Sequence, residues 1–280
     1  MNAVIGQEKL VKALESYTLE TVPKTMLFLG QSGCGKSWIA NAFAKYLELD
    51  TVQLDIGDTT KYTMEELKDR LIDFYQCPVR KLYLFDLKGA SEIRQTVLLK
   101  LIEEPSMYMN IILMAESTVG ILPTILNRCV KYVFEPYTPE QLKQFDWAVN
   151  CSEEIAYEIC KTPGQLLELS ADNLDQALGL CRAIVSSVDK ANYANTLSIV
   201  TKINLKDDAK KIDFKLFFDL MTYAAFDDYK KNNNELSFKI YLYTIRQLAK
   251  ALNINVAKEA FLLNYLDNIW RLANNENHND

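Results

Sequence analysis

The segment Gly30-Gln31-Ser32-Gly33-Cys34-Gly35-Lys36-Ser37 has the spacing G-x-x-x-x-G-K-[ST], and each residue type in it suits the handling of a phosphate. Glycines let backbone N–H groups turn inward onto an anion, and the N-terminus of a following helix adds positive potential. Lys36 reaches the outer phosphates and Ser37 offers a hydroxyl to magnesium, while Ser32, Cys34 and Trp38 fall at flanking contact positions. Cys34 lies where a helix N-terminus can acidify a thiol, but it reads as a spacer. A second magnesium group is Asp86, which ends the apolar run KLYLF. A carboxylate at the C-terminal end of a strand beside such a loop can hold the ion through water. A helix-capping or turn aspartate is the competing account of the same position.

This chemistry requires a strand before the loop and a helix after it. Residues 25–29 (TMLFL) supply the strand, bounded by Pro23, and Trp38, Ile39, Ala42, Phe43, Tyr46 and Leu47 recur at helical spacing behind the loop. A short strand follows at 51–54. Thr63 with Glu66 forms a capping box that opens a helix to about residue 76, with Leu67, Leu71, Ile72 and Tyr75 on one face. Strands are expected at 81–85 and 110–115, separated by a helix that Ser91 caps, that carries Ile93, Val97, Leu98, Leu101 and Ile102, and that Pro105 stops. A short helix over 122–127 and a last strand at 132–134 complete five strands with crossover helices, hence a mostly parallel, doubly wound sheet.

Beyond Pro136 the strand signals cease, and Thr138, Pro139 and Gln141 open a new helix. Short helices are expected at 138–148, 152–160 and 164–170, and a longer one at 173–188. Further helices at 213–230, 235–252 and 256–273 read as a separate bundle. The fold class is therefore α/β plus all-α, divided into a nucleotide-binding α/β domain at 1–136, a helical lid at 137–190 and a helical C-terminal domain at 191–280.

The 280 residues are 49% hydrophobic and 24% charged, the composition of an ordinary globular protein with a sizeable core. A net charge of −6 argues against strong binding to a phosphate backbone by this chain alone, so contact with nucleic acid is expected to depend on partners. Six scattered cysteines without a C-x-x-C pair, and one histidine, indicate neither a disulfide framework nor a zinc site. No stretch approaches the ~20 apolar residues of a membrane span, and a cytoplasmic location is expected.

Three collinear segments, 98–105 (LLKLIEEP), 115–129 (AESTVGILPTILNRC) and 162–169 (TPGQLLEL), resemble the clamp loader branch of the AAA+ proteins, especially the delta-prime subunit of the bacterial DNA polymerase III loader. The resemblance implies an AAA+ P-loop NTPase domain with a five-stranded parallel sheet, a helical lid and a helical collar, with ATP and Mg2+ as ligands. It makes Gly30 to Ser37 the Walker A loop and Asp86 the Walker B aspartate. It also implies that Asn127-Arg128-Cys129 stands for the family's Ser-Arg-Cys box, with Arg128 an arginine finger reaching a neighbouring subunit's nucleotide. A helix C-terminal cation satisfying carbonyls is the competing account of Arg128. By the same resemblance Val4 and Ile5 contact the adenine, Ser117 is the sensor 1 residue, Gln165 stands where a sensor 2 arginine belongs, and 253–263 looks like the last collar helix.

Three departures accompany the likeness. The four-cysteine zinc module is absent, the sensor 2 arginine is Gln165, and the Walker B glutamate that polarises water is Leu87. Since a general base contributes about 10² to 10⁴ in rate, hydrolysis is expected to be slow or absent. Glu103, Glu104 and Glu116 are the other candidate carboxylates for the site, of which the first two read as helix-end residues before Pro105. The expectation is a clamp loader subunit that binds ATP, assembles with other AAA+ clamp loader subunits into a hetero-oligomer, and helps load a sliding clamp onto primed DNA, which it touches mainly through the assembly. The alternatives are a self-sufficient AAA+ ATPase such as a helicase loader, and a nucleotide-independent structural stator.

Overall fold

The structure, a computed structural model, describes residues 4–145, 153–169, 174–189, 214–251 and 258–274. Two apolar runs, β1 (Thr25–Leu29) and β4 (Met109–Ala115), are buried along their whole lengths. Strands covered on both faces read as such runs, and only the middle of a parallel sheet covers them so. The sheet has five strands in the order β2-β3-β4-β1-β5, with β2 at Asp50–Asp55, β3 at Lys81–Asp86 and β5 at Val130–Val133. Every recorded pairing is parallel. The last strand begins at Val130, two residues before the expected start, because its pairing with β1 runs from Met26 opposite Val130 to Leu29 opposite Val133. The edge strands are mostly uncovered instead: β5 buries Tyr132 and exposes Val130, Lys131 and Val133.

Helices α1 (Glu8–Glu15), α2 (Lys36–Tyr46), α3 (Met64–Gln76), α4 (Glu92–Thr96), α5 (Leu99–Glu103), α6 (Pro123–Leu126) and α7 (Pro139–Leu142) complete this part of the fold. Both capping boxes read from the sequence form, at Thr63 with Glu66 and at Thr138 with Gln141. The first helix escapes a motif search but buries Leu10, Val11 and Leu14. The single helix expected before Pro105 is instead two, α4 and α5, and Ile93 is exposed rather than packed. The reason is Gln95. Its amide donates to Ala90 O and Gly120 O and accepts from Leu122 N. The turn at Val97 and Leu98, closed by Leu98 N to Gln95 O, lets Gln95 keep these bonds while Leu98, Leu101 and Ile102 enter the core.

The chain forms two compact units, Met1–Trp147 with Cys160–Leu167, and Ala148–Ile159 with Glu168–Asp280. In the second lie α8 (Glu153–Ile159), α10 (Leu174–Asp189), α11 (Phe214–Asn232), α12 (Glu235–Ala251) and α13 (Lys258–Asn274). Its core sets Phe218 edge to face against Tyr265 with ring centroids 4.7 Å apart, and the Tyr265 hydroxyl shares a 2.6 Å hydrogen bond with Thr244. Helix α9 (Pro163–Leu169) begins in the first unit, its residues 163–167 belonging there. The parts of the expected helices at 146–152, 170–173, 190–213 and 252–257 lie outside the described residues.

Candidate functional site

The strand order reverses at β1, whose neighbours are β4 and β5, and ligands of open α/β sheets bind at such a switch point, beyond the carboxyl ends of the strands. The phosphate loop leaves β1 there. Gly30 N donates to Ala115 O at 3.1 Å, and Phe134 N to Leu29 O at 2.7 Å, so the ends of β4 and β5 flank it. Gly33 has φ +76°, a left-handed conformation that side chains rarely adopt. Lys36 and Ser37 open α2 directly behind the loop. Lys36 Nζ donates to two of the loop's own carbonyls, Gly30 O at 2.6 Å and Gln31 O at 3.0 Å, and Ser37 Oγ donates to Met114 Sδ at 3.5 Å.

Asp86 reaches the same place from β3. Val4, Ile5, Ser32, Gly33 and Gly35 line one cavity of about 440 Å³. Lys36, Ser37, Trp38 and Asp86 line it too. That volume lies within the usual range of small-molecule sites. The donor set fits Mg-nucleotide. Two protein oxygens, Ser37 Oγ and an Asp86 carboxylate oxygen, suit an ion that keeps several waters and takes its other ligands from phosphate. Asp86 also accepts Lys88 N at 2.9 Å, which fixes the turn after β3.

Leu87 is 6% exposed and packs in the sheet's hydrophobic core with Phe85, Leu113 and Ala115, outside the cavity lining. The position after Asp86 thus brings neither a carboxylate nor a side chain to the cavity. Of the other carboxylates, Glu116 lines it and forms an ion pair with Lys88 at 3.4 Å. Glu103 pairs instead with Arg128 at 3.1 Å.

Helix α9 closes on the loop through backbone contact. Gly164 N donates to Gly33 O at 2.9 Å and Thr162 Oγ1 to Ser32 O at 3.1 Å. No side chain fits between the two glycines, for a Cβ on Gly164 would lie 2.5 Å from Gly33 Cα. Gln165 does not line the cavity, because its Oε1 accepts Lys161 N at 2.7 Å while its own N–H donates to Thr162 Oγ1, a capping arrangement at the start of α9. Tyr137, unremarked in the sequence, lines the cavity and donates to Cys34 O at 3.1 Å. Phe145 joins it edge to face at 5.8 Å.

Four more of the expected contacts stand outside the lining. Gly30 is buried beneath the loop, where a Cβ would meet Phe134 Cβ at 2.7 Å. Cys34 is buried as well, and burial pushes its thiol above the ordinary value against the pull of Lys36, so desolvation outweighs the helix N-terminus. Ser117 is exposed, and its Oγ accepts Val119 N at 3.3 Å. Arg128 is exposed at the end of α6, where Nη1 donates to Thr124 O at 3.0 Å. Both accounts of Arg128 are compatible with this placement: it serves a helix carbonyl, and it is exposed outside the cavity lining of its own chain.

Residues 86–138 match the family described as DNA polymerase III, delta subunit. The chain is 28% identical over 214 residues to DNA polymerase III subunit gamma of Buchnera aphidicola subsp. Baizongia pistaciae, covering 66% of this chain and 57% of the relative. It is 28% identical over 236 residues to DNA polymerase III subunit tau of Escherichia coli, covering 73% of this chain and 36% of that one. The chain is thus similar to DNA polymerase III subunits gamma and tau, and over residues 86–138 to the delta subunit family. A gamma subunit-related protein of DNA polymerase III from Thermotoga maritima shares its fold, with a TM-score of 0.55 at 16% identity, covering 96% of this chain and 99% of the other. The RuvB Holliday junction branch migration motor of the same organism gives 0.51 at 17%, covering 93% and 88%. The chain spans 57% of the length of this gamma relative and 36% of this tau relative. Among the described residues no helix is long and apolar enough to cross a membrane.

Proposed function

We propose that this chain is a clamp loader subunit of the delta-prime kind, which holds Mg-ATP, assembles with other AAA+ clamp loader subunits and helps load a sliding clamp onto primed DNA, with weak or no hydrolysis of its own. The observation that carries the proposal is the pairing of a phosphate loop and Asp86 on one cavity with a Leu87 turned into the core. Such a site suits holding a nucleotide more than cutting it. Bound magnesium would screen the phosphate charge, and Ser37 and Asp86 are the residues to hold it. Lys36 exchanges its loop carbonyls for outer phosphate oxygens, a charge-assisted bond in place of neutral ones.

In this proposal Arg128 gives up Glu103 for a neighbouring subunit's nucleotide, since an exposed pair of this kind is worth at most about 1 kcal/mol. The division into residues 1–136, 137–190 and 191–280 assigns the α/β fold, the lid and the collar, and the protein works in the cytoplasm. Glu116 in the cavity lining favours a second reading, a self-sufficient AAA+ ATPase in which that carboxylate orients water. Phosphate release by the purified chain beside nucleotide binding separates the two. Binding without release above background is expected. Brisk release favours the second reading, and no binding leaves the stator.

A further inference from the structure

Resting on the nucleotide-holding reading, we infer that Lys88 is a second phosphate-binding cation of this site, held ready by Glu116, and that it makes the cavity prefer a nucleoside triphosphate to a diphosphate. Beside Lys36, it is Lys88 that brings positive charge to the cavity lining. Helix α9 brings Pro163, Gly164 and Leu167 there but no charge, Gln165 being used to cap the helix. A triphosphate with its magnesium keeps negative charge on the terminal phosphate, and a second cation at that end meets a need Lys36 alone leaves open.

The backbone of Lys88 is fixed. Its N–H is held by Asp86, and Ile56 N donates to Asp86 O at 2.8 Å. Its carbonyl sits against Gly57, where a Cβ would come within 1.8 Å of Lys88 O, so only glycine allows the turn to sit this close to the 56–58 segment. The side chain, in contrast, is free to exchange partners. Lys88 Nζ lies 3.4 Å from Glu116 Oε1, and the two side chains are 64% and 50% exposed. A pair that exposed contributes little, and a terminal phosphate carrying more charge than one carboxylate displaces Glu116 as the partner. Because Lys88 follows Asp86 by two residues, it stands on the magnesium side of the cavity, where the terminal phosphate oxygens are bound.

The test is equilibrium binding of Mg-ATP and Mg-ADP to the full chain and to Lys88→Met, Lys88→Arg, Glu116→Gln and Lys36→Ala. Lys88→Met is expected to weaken ATP about tenfold and leave ADP within about twofold, the selectivity of one charge-assisted contact to the terminal phosphate. Lys88→Arg keeps the preference, and Glu116→Gln tightens ATP by freeing Lys88. Equal losses for both nucleotides in Lys88→Met, or no loss, overturn the inference while Lys36→Ala still abolishes binding. If Lys36→Ala binds as the parent does, or the parent binds neither nucleotide, the nucleotide-holding reading itself falls, and this inference with it.

Discussion

Replacing Gly164 by alanine probes whether helix α9 sets the shape of the loop from Gly30 to Ser37. The new methyl would sit 2.5 Å from Gly33 Cα and 3.2 Å from Gly33 O, and neither partner can rotate away because both are backbone. The helix must therefore back off, losing the 2.9 Å bond from Gly164 N and straining the 3.1 Å bond from Thr162 Oγ1. At about 0.5–1.5 kcal/mol for each bond, the loop loses roughly 1–3 kcal/mol of support. Alanine gains up to about 1 kcal/mol in helix propensity, but α9 has that gain whether or not it touches the loop. If the lost support comes from the phosphate-ready shape, affinity for a fluorescent ATP analogue falls by about tenfold or more, at 1.4 kcal/mol per factor of ten. Gly33→Ala is expected to be worse, since it adds a left-handed residue at φ +76° and about 1–2 kcal/mol of backbone strain. An unchanged helical circular dichroism spectrum would confirm that the fold survives. Affinity within about twofold of the parent for Gly164→Ala would refute the idea that α9 holds the loop.

Leu87→Glu is expected to destabilise the chain by about 4 kcal/mol in chemical denaturation, the cost of raising a buried carboxylate's pKa by roughly three units, without accelerating phosphate release. Arg94→Met removes a buried guanidinium that serves Ile56 O, Asp58 O and Tyr62 O, and should cost about 3 kcal/mol and open the 56–62 segment to limited proteolysis. The raised thiol pKa of Cys34 keeps it protonated at neutral pH, so its alkylation by iodoacetamide, followed by peptide mapping, should be slow there. The rate should climb only at pH values above the ordinary thiol pKa of about 8.5. In the proposed hetero-oligomer, Arg128→Ala should slow hydrolysis by about 10³-fold, measured as phosphate release, while the chain's own nucleotide affinity stays unchanged.

The features legible in the sequence were those set by near neighbours. The loop from Gly30 to Ser37 announces itself because glycine, lysine and serine must fall at fixed offsets, and β1 and β4 because strands buried on both faces carry near-continuous apolar runs. The capping boxes at Thr63 and Thr138 are equally local. The break between α4 and α5 was not legible, because Gln95 bonds to Gly120 and Leu122, more than twenty positions away. The same holds for Tyr137 under the loop at Cys34. Gln165 reads as a missing arginine by resemblance, whereas its place in the fold is a helix cap. Lys88 and Glu116 each follow the C-terminal end of a strand, β3 and β4, but their meeting at 3.4 Å depends on the pairing of those two strands. Leu87 marks the limit of such reading: its type said that no base stands after Asp86, and only the fold shows its side chain in the core.

The most direct test of the central claim is an equilibrium titration of Mg-ATP analogue against the full chain and its Lys36→Ala variant, matched for fold by thermal unfolding. A saturable site in the full chain that is lost in Lys36→Ala is the predicted result. Equal affinity in the two proteins, or no saturable binding to either, would contradict it.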